Sequence, residues 1–319
     1  MATAFRMSEQ VEPAISTLEG TYKARETEGI LDLYFYRKVG FQLAKLFAQL
    51  GVSPVGVTLL GGVFGIFAGH LYFYRDLRIN IIGMMFHVVA NLLDNADGQL
   101  ARLLNQKSRT GRVIDSLFDH LIFLSIYVHL GLRCLAEGAS PSIALLVLAA
   151  GLSHAAQGAS ADYFRNAYLF FVKGRARADW DSSATLRHEF RRLRWRTDLW
   201  QKFLMALYIN FTWQQEVLSP RLRRLRDVAE HEFPAEVPLD LRRHYRENAR
   251  PMLRWWGLLM TNTRMFFLFL FLIIDRASWF FWLEVSVLNL LLLFLIVRQE
   301  NMSQSLVEDI MQPEAAVVT

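Results

Sequence analysis

The chain has 319 residues, 53 % of them hydrophobic and 13 % aromatic, with a mean hydropathy of +0.20 and a formal net charge of +5. That is too apolar for an ordinary soluble domain, while 20 % charged residues require polar portions outside the lipid. The single cysteine, Cys134, excludes an intramolecular disulfide and a cysteine-based metal site.

Residues 1–29 are polar, carry mixed charges such as Glu19, Lys23 and Glu28, and lack the apolar core of a signal peptide, so they read as a cytoplasmic tail. From Ile30 to Leu50 apolar residues recur at helical spacing, broken by Arg37, Lys38 and Lys45. This predicts an amphipathic helix on the membrane surface, its cations toward anionic headgroups. Ser53 and Pro54 start a first spanning helix that continues to about Tyr74. A second apolar segment, Ile79 to Leu93, passes straight into Asp94 and Asp97. A third starts near Gly111 and reaches Leu132. The fourth, Pro141 to Phe171, turns polar in its second half with His154, Gln157, Asp162 and Arg165. Such residues line a site or make interhelical hydrogen bonds.

Lys173 to Arg254 holds eighteen Lys/Arg against eleven Asp/Glu, a local net of +7, so the positive charge is concentrated there. Trp195 to Trp213, interrupted by Lys202, reads as an interfacial helix, and Pro220, Pro234, Pro238 and Pro251 divide the remainder into short helices. The partner implied is anionic lipid and not nucleic acid. Two apolar segments, Leu253 to Ile274 and Trp279 to Val297, complete the set.

The predicted fold is all-α: a polytopic membrane protein with six transmembrane helices, the surface helix at 30–50, and a cytoplasmic helical insert between helices four and five. Its divisions are 1–29, 30–171, 172–253, 254–299 and 300–319. The positive-inside rule puts the insert, both tails and the acids in the cytoplasm, with Arg75 and Arg78 a mild exception, and a bacterial cytoplasmic membrane is the favoured setting.

Asp94, Asp97 and Ala101 share one helix face, with Gly98 and Arg102 beside them, and Gly111, Asp115 and Asp119 form one stripe on the next helix. Two facing helices bring four carboxylates together, and their repulsion calls for a divalent cation. All-oxygen ligation selects Mg²⁺, Mn²⁺ or Ca²⁺ over zinc.

The spacing D-x2-D-G-x2-A-R-x8-G-x3-D-x3-D resembles the signature of the CDP-alcohol phosphatidyltransferases, with every fixed position filled. At ordinary residue frequencies, eight fixed positions coincide by chance about once in 10¹⁰ start points. The family's Thr/Ser-Pro-Asn-x-x-Thr stretch is matched by Ser53-Pro54-Val55-Gly56-Val57-Thr58, with Val55 at the usual Asn. The resemblance covers about Val52 to Phe171. It implies displacement at phosphorus: an acceptor hydroxyl attacks the phosphate of a CDP-alcohol and CMP leaves.

Two divalent ions, Mg²⁺ or Mn²⁺, are implied, held by Asp94, Asp97, Asp115 and Asp119, with Asp119 also the base on the acceptor hydroxyl. Gly98, Ala101 and Gly111 give the nucleotide room, and Arg102 holds a phosphate oxygen. By location, Arg264, Arg165, Lys107, Arg109 and Arg112 are candidates for a phosphorylated polyol acceptor such as inositol phosphate or glycerol phosphate. The resemblance also suggests a homodimer and favours CDP-diacylglycerol as donor.

Two rivals stand beside this reading. One is a choline- or ethanolamine-type phosphotransferase acting on diacylglycerol. The other is a silent scaffold or a transporter. Transport is disfavoured because the polar residues cluster at one edge and no pair of Gly/Pro-broken helices meets at midplane.

Overall fold

The computed structural model describes residues 25–174, 178 and 180–311. Residues 1–24 of the expected tail, and 312–319, lie outside the described residues. Among those described there are twelve α-helices and no strand. A π-helical turn, Asp32–Tyr36, leads into α1 (Arg37–Gln49), followed by α2 (Pro54–Leu71), α3 (Leu77–Leu103), α4 (Arg109–Ala136) and α5 (Ile143–Lys173). The insert holds α6 (Ser183–Arg192), α7 (Leu199–Leu218) and α8 (Pro220–Glu232). Then come α9 (Leu239–Leu258), α10 (Thr261–Ile273), α11 (Ser278–Val285) and α12 (Val287–Met311).

Six segments are long and apolar enough to cross a membrane: 54–71, 77–103, 109–136, 143–173, 239–273 and 278–311. Their outward faces carry Leu60, Val63 and Phe67 on α2, Leu145, Leu148 and Leu152 on α5, and Leu290, Leu293 and Phe294 on α12, all exposed as lipid contact requires. Sequence and bundle together make this an integral membrane protein of all-α class.

Helix starts follow from local chemistry. Ser53 caps α2 by accepting from Gly56 N at 3.1 Å, with Pro54 at the first helical position. Asp76 caps α3, accepting from Arg78 N at 2.7 Å, and Ser108 caps α4, accepting from Gly111 N at 2.9 Å. α2 then lies hard against α4. A Cβ at Gly62 would fall 2.1 Å from the Phe118 ring and one at Gly69 2.7 Å from the Ile126 backbone nitrogen, so only glycine permits this approach. The close contact brings α2, α3 and α4 into one three-helix unit, on whose face the acids sit.

The last two crossings differ from the two plain helices expected. The fifth breaks at Leu259–Met260, where Met260 is extended (φ −103°, ψ 173°), and the sixth breaks at Ser286 (φ −105°, ψ −81°), whose hydroxyl donates back to Trp282 O at 2.5 Å. Neither break falls on a glycine or proline, which is why the sequence concealed them. The two breaks meet through Arg264 and Glu284 with no glycine or proline at either. What opposes transport is that the breaks are joined by a closed polar network around Arg264.

The segment from residue 300 is helical through Met311. Leu306 and Val307 are buried in the same core cluster as Leu222 and Leu225 of α8, so this stretch belongs to the bundle and is no separate tail.

Candidate active site

The site is built where the C-terminal end of α3 meets the start of α4. Helical periodicity sets Asp94 and Asp97 one turn apart on α3, and the tight α2 contact seats α4 so that Asp115 faces them. One oxygen from each of these three carboxylates lies within 4.8 Å of the others, and Asp97 is 5 % exposed. At that separation and an effective dielectric near 20, each like-charged pair costs about 3 kcal/mol. Three such repulsions make a cation the natural occupant. The donor set is all oxygen, with no His or Cys, so it fits a hard divalent ion. Asp119, one turn beyond Asp115, stands outside the group of three and is exposed.

Thr58, from α2, supplies a support absent from the predicted site. Its Oγ1 is 2.5 Å from Asp97 Oδ2 and 3.1 Å from Pro54 O. A hydroxyl has one proton, and the shorter contact gives it to the carboxylate. The signal was present in the Ser53-Pro54-x3-Thr58 spacing, whose threonine falls one turn inside a capped helix.

The predicted donor residues sit together. Gly98 is followed one turn later by Arg102, and a Cβ at 98 would lie 3.4 Å from the Arg102 guanidinium, so glycine gives that guanidinium room. Arg102 Nε is buried with no hydrogen-bond partner among the described residues, an orphaned donor that a phosphate oxygen would satisfy. Ala101 is half-buried beside it. At Gly111 a Cβ would stand 3.0 Å from Ser108 Oγ, so its small size serves the α4 cap as well as any ligand.

The five acceptor candidates are scattered. Arg264 is 3 % exposed and points into the helix breaks: it donates to Glu284 Oε1 at 2.9 Å, to Gln157 Oε1 at 2.6 Å and to the Leu259 carbonyl that α9 leaves free. Gln157 in turn donates to the Glu284 carbonyl at 3.0 Å and to Asn289 Oδ1 at 2.8 Å. Its charge is compensated within this network and not offered to a ligand. Arg109 is tied to the insert through Glu189 and, at 3.7 Å, Asp181. Arg165 pairs with Asp162 at 2.8 Å yet keeps a buried Nε without a partner among the described residues. Lys107 and Arg112 are exposed at the rim. His154, rated a wall or a packing residue, meets Tyr127 OH through Nδ1 at 3.0 Å and the Phe123 ring at 4.1 Å between centroids, linking α4 to α5.

A polar chain also escaped the sequence reading. Asn91 donates to Asn262 Oδ1 at 3.2 Å, and Asn262 donates to Asp32 Oδ1 at 2.9 Å. Burial pushes the Asp32 carboxyl above its ordinary range despite the bond from Asn262. Asn91, Asn95, Gly98 and Arg102 form one helical stripe beside the acids, which is the signal that would have found it.

Comparison with known proteins agrees with this geometry. Residues 52–164 match the family model described as CDP-alcohol phosphatidyltransferase. An uncharacterized protein of Aquifex aeolicus (strain VF5) is 30 % identical over 115 residues, 36 % of this chain and 57 % of the relative. An archaetidylinositol phosphate synthase of Pyrococcus horikoshii is 30 % identical over 85 residues, 27 % of this chain and 44 % of the relative. The chain thus spans about half the length of the curated relatives it matches. The matched stretch is the one that contains Thr58 and all four acids, and over residues 52–164 the chain is similar to the CDP-alcohol phosphatidyltransferases, a family of transferases of substituted phosphate groups.

Proposed function

We propose that the protein transfers a substituted phosphate group from a CDP-alcohol to the hydroxyl of a small polar alcohol, releasing CMP, as a step in phospholipid synthesis. The observation that carries this reading is the convergence of Asp94, Asp97 and Asp115 within 4.8 Å, with Asp119 one turn further along α4. Asp94, Asp97 and Asp115, with an oxygen from Asp119, would hold Mg²⁺ or Mn²⁺, two ions in all. A bound divalent ion supplies charge neutralisation at the pyrophosphate and at the oxygens that attack and leave.

The residues of the chain do the rest. Asp119, outside the group of three, accepts the proton of the acceptor hydroxyl as its oxygen bonds to the phosphorus that bears the alcohol. The bond from that phosphorus to the CMP oxygen breaks, and CMP departs. Arg102, with its orphaned Nε, holds a phosphate oxygen. Gly98, Ala101 and Gly111 leave space for the nucleotide, and Thr58 fixes the orientation of Asp97.

CDP-diacylglycerol is the favoured donor, since the acids lie at the end of an apolar helix where a lipid enters sideways. A phosphorylated polyol is the favoured acceptor, supported by the name of the Pyrococcus relative, an archaetidylinositol phosphate synthase. Arg165, whose buried Nε has no partner among the described residues, and Lys107 and Arg112 at the rim are the proposed cations for its phosphate; Arg109 and Arg264 are engaged with acids of the chain. The positive-inside rule supports an active site facing the cytoplasm. The test is a headgroup screen: purified protein, CDP-diacylglycerol, and glycerol phosphate, inositol phosphate, inositol or serine in separate reactions, with CMP as readout. CMP release with a phosphorylated polyol, and none from Asp97→Asn, is the expected result. CMP release only with an unphosphorylated acceptor, or unchanged turnover in the variant, overturns it.

A further inference from the structure

Helix α7 is built inside out. Its buried residues are Lys202, Leu204, Thr212, Gln215 and Glu216, four of five polar, whereas Leu199, Trp200, Phe203, Leu207, Trp213 and Val217 are exposed. At 3.6 residues per turn these six large apolar positions fall within an arc of about 140°, in which Asn210 is the exposed polar residue. A helix in water turns its apolar face inward, so this one has a different solvent on its outer side.

Four polar side chains of this helix are engaged with protein. Lys202 donates to Leu193 O at 2.9 Å and lies over the Trp195 ring at 4.5 Å. Tyr208 donates to Asp181 at 2.9 Å, Gln215 to Asp162 of α5 at 3.2 Å, and Glu216 forms a 2.9 Å ion pair with Arg226. These bonds fix which way the helix faces. The apolar arc is therefore a property of the folded insert and no accident of a loose segment. Through Asp162, and through Arg109 with Asp181 and Glu189, the insert is fastened to α5 and to the start of α4, on the side of the bundle where the acids lie.

Immediately before α7 the chain places exposed Arg187, Arg191, Arg192, Arg194 and Arg196, with Trp195 65 % exposed among them. Cations at the end of an apolar, tryptophan-bearing face are the arrangement that an anionic bilayer surface complements. We propose that residues 187–217 are a membrane-embedded element, in which the Leu199–Val217 arc of α7 sits at acyl-chain depth in the leaflet beside the acids and the preceding arginines bind anionic lipid headgroups. The insert is then a lipid-facing extension of the bundle, not a domain projecting into water. The inference rests on packing and polarity alone and stands apart from the chemistry of the acids.

The lone cysteine makes the test direct, because Cys134 is buried and a second cysteine is the accessible one. Full-length protein carrying Phe203→Cys or Val217→Cys is placed in phosphatidylcholine vesicles with a phosphatidylglycerol component, with Arg243→Cys as the exposed, water-side control. Both α7 cysteines are expected to resist a water-soluble maleimide that labels position 243. A fluorophore introduced in detergent at 203 is expected to be quenched by brominated acyl chains after reconstitution. Energy transfer from that fluorophore to headgroup-labelled lipid should favour anionic over zwitterionic lipid by about fivefold or more, the effect of one surface cation. Gln at positions 191, 192, 194 and 196 should erase that preference. Maleimide labelling at 203 and 217 equal to that at 243, crosslinking of two copies through position 203, or an unchanged lipid preference in the Gln variant overturns the proposal.

Discussion

Arg264 and Glu284 form an ion pair at 2.9 Å with side chains 3 % and 0 % exposed, and each stands beside a break in its own crossing segment. The pair takes up what the breaks leave behind. Arg264 satisfies the Leu259 carbonyl at the end of α9, and Gln157 satisfies the Glu284 carbonyl near the end of α11. Interrupted helices persist in lipid only when freed backbone groups find such partners.

Removing one member leaves the other charged and unpaired in the interior. Arg264→Met is expected to destabilise the protein by about 3–5 kcal/mol, and the double variant Arg264→Met, Glu284→Leu by clearly less. Thermal unfolding in detergent measures both. A stable Arg264→Met protein with a raised acceptor KM would show instead that the arginine belongs to the acceptor site.

Asp97→Asn keeps the shape of the site and removes one of three clustered negative charges. Loss of several kcal/mol of charge stabilisation lowers the rate of CMP release by more than about a hundredfold. Fold retention is checked by a melting temperature without metal that is no lower than the parent's, since one repulsive charge is gone. Wild-type turnover in the variant is the outcome that removes the proposed metal site.

Thr58→Val deletes the 2.5 Å hydrogen bond to Asp97 without touching the acids. Outer-shell losses of this kind raise the metal requirement by about 10- to 100-fold, whereas Thr58→Ser retains the donor and should stay near the parent. Titration of CMP release with Mg²⁺ or Mn²⁺ distinguishes the two variants. Identical titration curves would make the contact incidental.

Chelation provides a readout independent of turnover. Binding to the folded state alone raises stability by about 2.7 kcal/mol at a hundredfold excess over Kd. Mn²⁺ added after EDTA is expected to raise the melting temperature of the parent but not of Asp97→Asn. Equal shifts in both proteins would place the ion elsewhere.

On the opposite side of the bundle, hydrogen bonds from Arg75 and then Arg133 hold the Asp275 carboxyl below its ordinary range. A carboxyl with a depressed folded value stabilises the fold fully above its unfolded value of about 3.9 and loses that contribution as pH falls through the lower folded value. Asp275 has φ 57°, a conformation asparagine also adopts, so Asp275→Asn tests the charge alone. The difference in melting temperature between parent and variant is expected to be largest near neutral pH and to vanish in strong acid. A constant difference would assign the effect to shape.

The acid cluster was legible in local spacing alone. Asp94 with Asp97, and Asp115 with Asp119, are brought onto common faces by the 3.6-residue turn, a local property that needs no knowledge of the fold. Six apolar segments and the basic insert were equally plain, because hydropathy and charge are summed along the chain. What the cations do was settled by long-range packing. Arg264 finds Gln157 across 107 positions and Arg109 finds Glu189 across 80, and no periodicity encodes a partner that far away. The same holds for Thr58 on Asp97, for breaks that carry neither glycine nor proline, and for α7, whose outward face was settled by where its polar side chains found partners. Spacing places groups on a helix, and long-range packing then selects which of them remain free to meet a ligand.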